Sequence, residues 1–184
     1  RSHFFVQESY TPGNKIFVPQ VLSEKREFVC AGYFSSDYLV IAPHMQIANA
    51  QLFELAIISS TLHLSWIATV CGKLKTDFRY SNTLGWNTFP VPTLTEKNKL
   101  DLTRCAEDIL LAREKHFPAT IADLYDPEKM PENLRLAHER NDEPLERIYI
   151  GRRFNNDTER LEKLFELYTK MTSSTTSNKM ESAS

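Results

Sequence analysis

From residue 1 to about residue 47, short apolar runs alternate with turn-forming and charged residues. This pattern is typical of strands, because each run is short and is closed by residues such as Gly, Pro, Asn or Asp. The runs predict four strands of a small antiparallel sheet, at Phe4–Gln7, Lys15–Leu22, Glu27–Phe34 and Tyr38–Ala42.

The middle of the chain is more continuously apolar. Over Ala48–Leu74 the pattern is helical, with apolar side chains on almost every side, and it predicts a long central helix packed against the strands. Its most apolar part, Ala50–Cys71, approaches the length of a membrane span. Polar residues within that part, such as Glu54 and His63, favour a buried helix instead, and we expect no membrane partner.

A loop and three further helices follow. The segment Thr76–Thr95 combines aromatic residues with Pro90 and Pro92, which predicts a structured loop that ends in an extended conformation. Helical periodicity then predicts a small helical bundle formed by Leu100–His116, Glu132–Tyr149 and Thr158–Met171.

Together these elements predict an α+β fold with two domains. Residues 1–92 form the first domain, with the small antiparallel sheet and the long central helix, and residues 93–171 form the C-terminal helical bundle. Because the proline-containing connection is extended, we expect each domain to have its own core. Residues 172–184 are rich in Ser and Thr without periodicity, so we expect a flexible tail.

Charge gives only weak guidance about partners. The 184 residues have a net charge of −2, which does not indicate binding of a polyanion through bulk charge. Residues 1–95 carry seven basic and six acidic residues, whereas residues 96–184 carry 15 and 18. The first domain is therefore the better candidate. Lys73, Lys75 and Arg79 form a local basic cluster there, although such clusters are also common at solvated helix ends.

Several enzyme classes are excluded by missing motifs. The five glycines are isolated, so no glycine-rich turn is present to hold a nucleotide or S-adenosylmethionine. The Asn-Pro-Pro-aromatic signature of an amino-methyltransferase and the Glu-x-Lys pair of a metal-dependent nuclease are also absent. We therefore expect no catalytic residue, no cofactor site and no metal site in this chain, and we interpret its histidines as structural or surface residues.

Two further features concern the cellular context. The three cysteines form no Cys-x-x-Cys pair, which favours a reducing cytoplasm over a disulfide framework. The sequence begins at Arg1 without a charged and apolar leader, so we expect a fragment of a longer cytoplasmic protein.

One segment is specific enough to suggest a family. The run Val70–Ser81, followed by Asn87–Pro92, resembles the target-recognition domain of the MmeI-like enzymes. These type IIL restriction-modification proteins join a nuclease, an N6-adenine methyltransferase and a recognition domain in one chain. Downstream, Ala122–Pro127 and Leu164–Tyr168 look like the C-terminal helical domain of that family. Two positions depart from the family pattern, because Thr88 replaces a second Asn and Val91 replaces an aromatic residue.

The resemblance implies a function and a set of site residues. The chain is expected to be a DNA sequence-recognition fragment that binds double-stranded DNA and positions the methyltransferase and nuclease domains of its parent chain. Lys75 and Asp77 occupy the positions where the family places a pair that reads one base pair beside the target adenine. Residues expected to contact the DNA backbone or support the loop are Lys73, Arg79, Tyr80, Ser81 and Asn82. S-adenosylmethionine and Mg²⁺ are expected only in the other domains of the parent.

A second function class remains open on the sequence. In this alternative the chain is a protein-interaction module, and the helical bundle docks another subunit of a DNA-modifying complex while the strands serve as scaffold. The dependence of binding affinity on salt concentration distinguishes the two function classes, because binding through phosphates weakens steeply with ionic strength and apolar docking does not.

Overall fold

The structure is a computed structural model that describes residues 13–38 and 43–181, with side chains described as far as residue 173. The predicted strand Phe4–Gln7 and nearly all of the predicted strand Tyr38–Ala42 lie outside the described residues.

In the part of the chain that the structure describes, six short strands form two antiparallel sheets of three strands each. In chain order the strands are β1 (Lys15–Val18), β2 (Val21–Leu22), β3 (Gly32–Phe34), β4 (Met45–Ala48), β5 (Gly72–Leu74) and β6 (Asp77–Arg79). The first sheet has the order β3-β1-β4, and the second has the order β2-β6-β5. The small antiparallel sheet predicted from the sequence is therefore two sheets that the chain joins through the short β1–β2 connection.

Two predicted strands are shorter than expected. Lys15–Leu22 is divided at Pro19, which has no backbone N–H to continue a ladder, and its two parts pair in different sheets. Within Glu27–Phe34 only the last three residues form a strand. The residues before them, Phe28–Ala31, are buried in irregular backbone, so their apolar run reflects burial and not strand pairing.

The predicted central helix Ala48–Leu74 is wrong as a single element. It consists of α1 (Leu52–Ile58) and α2 (Thr61–Val70), which are bent by 60° with respect to each other. Ser60 causes the break, because its side chain accepts a hydrogen bond from the His63 backbone N–H and so caps a new helix. Beyond Cys71 the chain pairs as β5, which removes the predicted last turn.

Within the described residues, no single helix has both the length and the apolar character needed to cross a membrane. The bent pair α1 and α2 meets that requirement only when the two helices are counted together.

The three predicted C-terminal helices are confirmed, with a short fourth between the first two. They are α3 (Glu96–Glu114), α4 (Ile121–Leu124), α5 (Glu132–Ile150) and α6 (Asp157–Glu181). The helix predicted to end at Met171 continues to Glu181, so the segment predicted as a tail is helical over most of its length. Ser and Thr fit there because hydroxyls such as those of Thr172 and Ser173 donate to backbone carbonyls one turn earlier.

The α+β class with antiparallel strands and a helical C-terminal region is confirmed, but the two predicted segments share one hydrophobic core. Helix α1 packs against α3, α3 packs against α5, and α2 packs against α6. Polar contacts also cross between the segments. Asn141 on α5 donates to the Ala56 carbonyl oxygen at 2.8 Å, and the Tyr149 hydroxyl donates to the Pro90 carbonyl oxygen at 2.8 Å. The expected separate cores are therefore absent from the described structure.

A buried chain of hydrogen bonds centred on Tyr125 connects the two segments. Arg113 donates from Nε to the Tyr125 hydroxyl at 2.8 Å and from Nη1 to the Ala31 carbonyl oxygen at 2.7 Å. His138 Nδ1 lies 3.2 Å from the Ser59 carbonyl oxygen, which can only accept, so Nδ1 carries the proton. The unprotonated Nε2 then accepts from the Tyr125 hydroxyl at 2.6 Å, so Tyr125 links the Arg113 and His138 side chains.

A second contact fixes the start of α2. The Asp142 carboxylate on α5 accepts from the backbone N–H of Thr61 at 2.8 Å and from the Thr61 hydroxyl. A carboxylate is favoured at this place because helix N-termini carry unpaired N–H groups and partial positive charge. Burial nevertheless raises the pKa of Asp142 to about 6. The hydrogen bonds from Thr61 lower this pKa, but the effect of burial is larger.

Replacing Tyr125 with Phe should destabilise the chain. Tyr125→Phe keeps the ring but leaves the buried Arg113 and His138 side chains without their shared partner, which we expect to cost about 3 kcal/mol. Urea unfolding followed by circular dichroism measures the change. Tyr38→Phe is the matched control, because Tyr38 is 59% exposed and its loss of a hydroxyl should change stability by less than about 0.5 kcal/mol.

Stability should also fall between pH 6 and pH 5. Burial lowers the pKa of both His63 and His138 to about 3, so below pH 6.5 the unfolded imidazoles take up protons that the folded ones do not. Each histidine then lowers stability by about 1.4 kcal/mol per pH unit. Asp142 acts in the opposite direction, because its raised folded pKa makes the folded state bind a proton first. The expected net loss is about 1.4 kcal/mol over this unit.

Asp142→Asn provides the internal check on the pH prediction. Asn keeps an oxygen that accepts from the Thr61 backbone N–H but does not titrate, so the loss per pH unit should roughly double. Urea midpoints at pH 7, 6 and 5 measure both slopes. A wild-type stability that is constant or increases toward pH 5 would contradict the assignment of neutral buried histidines.

Candidate functional site

The candidate residues lie on and beneath a β-hairpin formed by β5 and β6. Leu74 pairs with Asp77 across the hairpin, which leaves Lys75 and Thr76 as a two-residue turn. Lys75 has a φ of 59°, in the left-handed region where a residue with a Cβ atom is strained. The turn therefore presents an exposed ammonium group at the tip of the hairpin, in a conformation that glycine would adopt more easily.

Strand alternation separates the candidate residues onto two faces. Asp77 and Arg79 lie on one face of β6, and their cross-strand partners there include Leu74 and Val21. Asp77 is half-buried, whereas Arg79 is exposed. The intervening Phe78 is buried on the opposite face. The outer face of the hairpin thus carries a carboxylate and a guanidinium, with the Lys75 ammonium at its end.

Lys73 lies on the face opposite to Asp77 and Arg79. Its ammonium group lies 3.7 Å from the Glu24 carboxylate and 5.3 Å from the centre of the Phe78 ring. Both charged groups of this ion pair are substantially exposed, so it adds little to stability. Among the candidate residues, the structure brings Lys75, Asp77 and Arg79 together and separates Lys73 from them.

Lys75 and Asp77 form no ion pair with each other or with another described residue. In the described part of the chain both charged groups are instead available to an external partner.

Tyr80 anchors the end of β6 in the core. It is buried, and a hydrogen bond of 3.3 Å joins its hydroxyl oxygen to Nε2 of His63 on α2. The His63 ring lies edge-on to Trp86 and Phe89. Burial lowers the pKa of His63 to about 3 and raises the pKa of Tyr80, so the pair is neutral and holds the hairpin without a buried charge.

Ser81 and Asn82 also act within the scaffold. The Ser81 side chain accepts a hydrogen bond of 3.4 Å from the Leu84 backbone N–H and caps a π-helical turn at Asn82–Trp86. Asn82 Nδ2 donates to the Gln46 carbonyl oxygen on β4 at 3.1 Å and so links this turn to the first sheet. Both residues therefore form hydrogen bonds within the protein, one inside the turn and one to the first sheet.

Sequence reasoning missed three supporting residues: His63, Trp66 and Thr88. Trp66 on α2 donates from Nε1 to the Thr88 hydroxyl at 3.2 Å, and Thr88 donates in turn to the Leu84 carbonyl oxygen. Thr88 is one of the departures from the family pattern, and its hydroxyl has a definite role. Local spacing does not signal the contacts of His63 with Tyr80 and of Trp66 with Thr88, because the β5–β6 hairpin lies between the two residues of each pair.

No group of three or more His, Cys, Asp or Glu side chains forms a metal-binding arrangement in the part of the chain that the structure describes. Cys30, Cys71 and Cys105 are free thiols.

The fold and site define a class of protein in which a mixed helical and antiparallel scaffold presents an exposed, charged hairpin. Family comparison specifies this class further. Residues 1–93 match the model of the MmeI target recognition domain, and residues 94–176 match the model of the MmeI C-terminal domain. The chain belongs to the MmeI family, and the resemblance found in the sequence is confirmed.

Two longer proteins are similar to this chain. DNA methyltransferase A of Bacillus subtilis (strain 168) is 40% identical over 162 residues, which cover 88% of this chain and 18% of the relative. A structure of the type IIL restriction-modification enzyme MmeI in complex with DNA has a TM-score of 0.84 and 33% sequence identity, covering 90% of this chain and 22% of that one. The chain thus spans about a fifth of the length of these relatives.

Lys75→Gly should give a more stable chain than Lys75→Ala. Both variants remove the ammonium group, but only glycine relieves the strain of a positive φ, and we expect a difference of about 1 kcal/mol. Parallel urea unfolding of the two variants measures it. Equal stabilities would mean that the turn is not held in the left-handed conformation.

Proposed function

We propose that the chain is the DNA sequence-recognition part of an N6-adenine methyltransferase and restriction enzyme, and that it reads a base pair beside the target adenine. The observation that carries the proposal is that a hydrogen-bond donor, Lys75, and an acceptor, Asp77, lie two residues apart at the end of an anchored hairpin. Lys75 is exposed and Asp77 is half-buried. Membership of the MmeI family and similarity to an MmeI enzyme in complex with DNA support double-stranded DNA as the partner.

The chemistry of the two side chains selects one base pair. Lys75 offers only donors and suits the O6 and N7 acceptors of guanine, whereas Asp77 offers only acceptors and suits the N4 amino group of cytosine. The major groove presents these groups and accommodates a two-stranded β-ribbon. The pair therefore fits G·C, with guanine on the side of Lys75.

Neighbouring charges fit a backbone role. Arg79 is exposed on the same face as Asp77, and its guanidinium is suited to clamp a phosphate with two hydrogen bonds. Lys73 points to the other face and shares its charge with Glu24, so it is a weaker candidate for this contact. With a net charge of −2, the chain alone should release few counterions and bind DNA weakly.

In this proposal the parent enzyme needs a separate recognition module because methylation and sequence reading require different contacts with the DNA. Methylation of an adenine amino group requires the base to leave the helical stack, and a pocket that grips one flipped base cannot also read its neighbours. In this proposal the methyltransferase and nuclease domains of the parent supply S-adenosylmethionine and Mg²⁺ chemistry and much of the DNA affinity. The hairpin contributes selectivity.

Exchanging the two charges should exchange the preferred base pair. In the full-length parent enzyme, Lys75→Glu with Asp77→Arg reverses donor and acceptor and should convert the preference from G·C to C·G at one position. Each good contact of this kind discriminates by about 1 to 3 kcal/mol, so sequencing of methylated sites should show the change clearly. The hairpin backbone is expected to tolerate the exchange, because neither side chain has an ion-pair partner among the described residues.

Lys73→Glu is the matched control, because it changes a charge on the same hairpin but on the opposite face. It should leave the recognised sequence unchanged. An active double variant that still methylates the original sequence would refute the assignment of Lys75 and Asp77. Binding that is insensitive to salt would instead favour a protein-docking function for the chain.

A further inference from the structure

A cavity of about 440 Å³ lies between the first sheet and the helical segment, away from the β5–β6 hairpin. Aromatic side chains of Phe17, Tyr33 and Phe34 contribute to its wall from the sheet, and Leu110 and Ile121 contribute from the helices. Its volume is in the range of sites that take small molecules. The walls are suited to a flat apolar group.

The charged groups that line this cavity have one sign. Arg26 and Arg113 both line it, and no carboxylate is present among its described lining residues. Neither guanidinium forms an ion pair with a described residue. By contrast, the buried Glu146 is paired with Arg160 at 2.8 Å.

Arg113 is only 8% exposed, and its described partners are neutral. It donates to the Tyr125 hydroxyl and to the Ala31 carbonyl oxygen, which leaves part of its five N–H donors unused. Arg26 donates from Nη1 to the Cys30 sulfur at 2.8 Å, which leaves its Nε and Nη2 donors unused among described groups. Arg26 is half-buried, whereas Arg113 is buried. Burying a cation such as Arg113 without a counter-charge is costly, and an anion in the cavity would reduce that cost.

We propose that this cavity binds a small organic carboxylate with a flat apolar body. The two guanidiniums supply charge-assisted hydrogen bonds to the carboxylate, and the rings of Phe17 and Phe34 cover the apolar part. The proposal does not depend on DNA recognition, because it uses none of the hairpin residues.

The direct test is a ¹⁹F NMR titration of this chain with 4-fluorobenzoate, and with 4-fluorobenzamide as its neutral counterpart. The carboxylate should bind with a Kd below about 1 mM, and the amide should bind at least about tenfold more weakly. Arg26→Gln should weaken binding of 4-fluorobenzoate by about tenfold, because it removes one charged donor. Equal binding of the carboxylate and the amide would overturn the proposal, since the cavity would then recognise only apolar surface.

Two tryptophan variants test the location. Ala122 is exposed and lines the cavity, so Ala122→Trp should fill the space and abolish binding of 4-fluorobenzoate. Ala119→Trp is the matched control at an exposed position that does not line the cavity, and its affinity should equal that of wild type. Unchanged affinity in Ala122→Trp, or no saturable binding up to about 10 mM 4-fluorobenzoate, would overturn the proposal.

Discussion

The buried hydrogen-bond chain from Arg113 through Tyr125 to His138 is the constraint on which the rest of the structure depends. Its ends are the backbone carbonyl groups of Ala31 and Ser59, which belong to the first half of the sequence, whereas the three side chains belong to the second. In a low-dielectric interior each of these polar groups must be satisfied, so the sheets and the helices take one relative position. The two segments of the chain that match separate family models therefore share one continuous core.

Contacts with this core hold the candidate site in place. Asp142 on α5 fixes the start of α2, and His63 on α2 holds Tyr80 at the end of β6. The hairpin is thus anchored by buried contacts, while Lys75 and Asp77 make no ion pair with the described residues. Because support and charge are separated in this way, the outer residues of the hairpin can vary without unpairing a buried group.

Much of the architecture was accessible from sequence patterns, and the errors have clear causes. Periodicity located α3, α5 and the start of α6, because each has an apolar stripe that is local in sequence. It merged α1 and α2 into one helix, because a cap formed by Ser60 interrupts the backbone without interrupting the apolar pattern. It also ended α6 at Met171, because Ser and Thr side chains that bond to their own helix have no apolar period.

The sequence by itself determined the α+β class, the helical C-terminal region, the family and the candidate pair Lys75 and Asp77, because these depend on local periodicity or on a contiguous motif. Tertiary structure alone decided which candidates share a surface. It placed Asp77 and Arg79 on one face, turned Lys73 to the other, and put Tyr80 in the core against His63. The pairing of β6 with β5 and β2 and contacts between distant residues set these directions, whereas the residue pattern over Thr76–Thr95 predicted a loop in which no strand alternation applies.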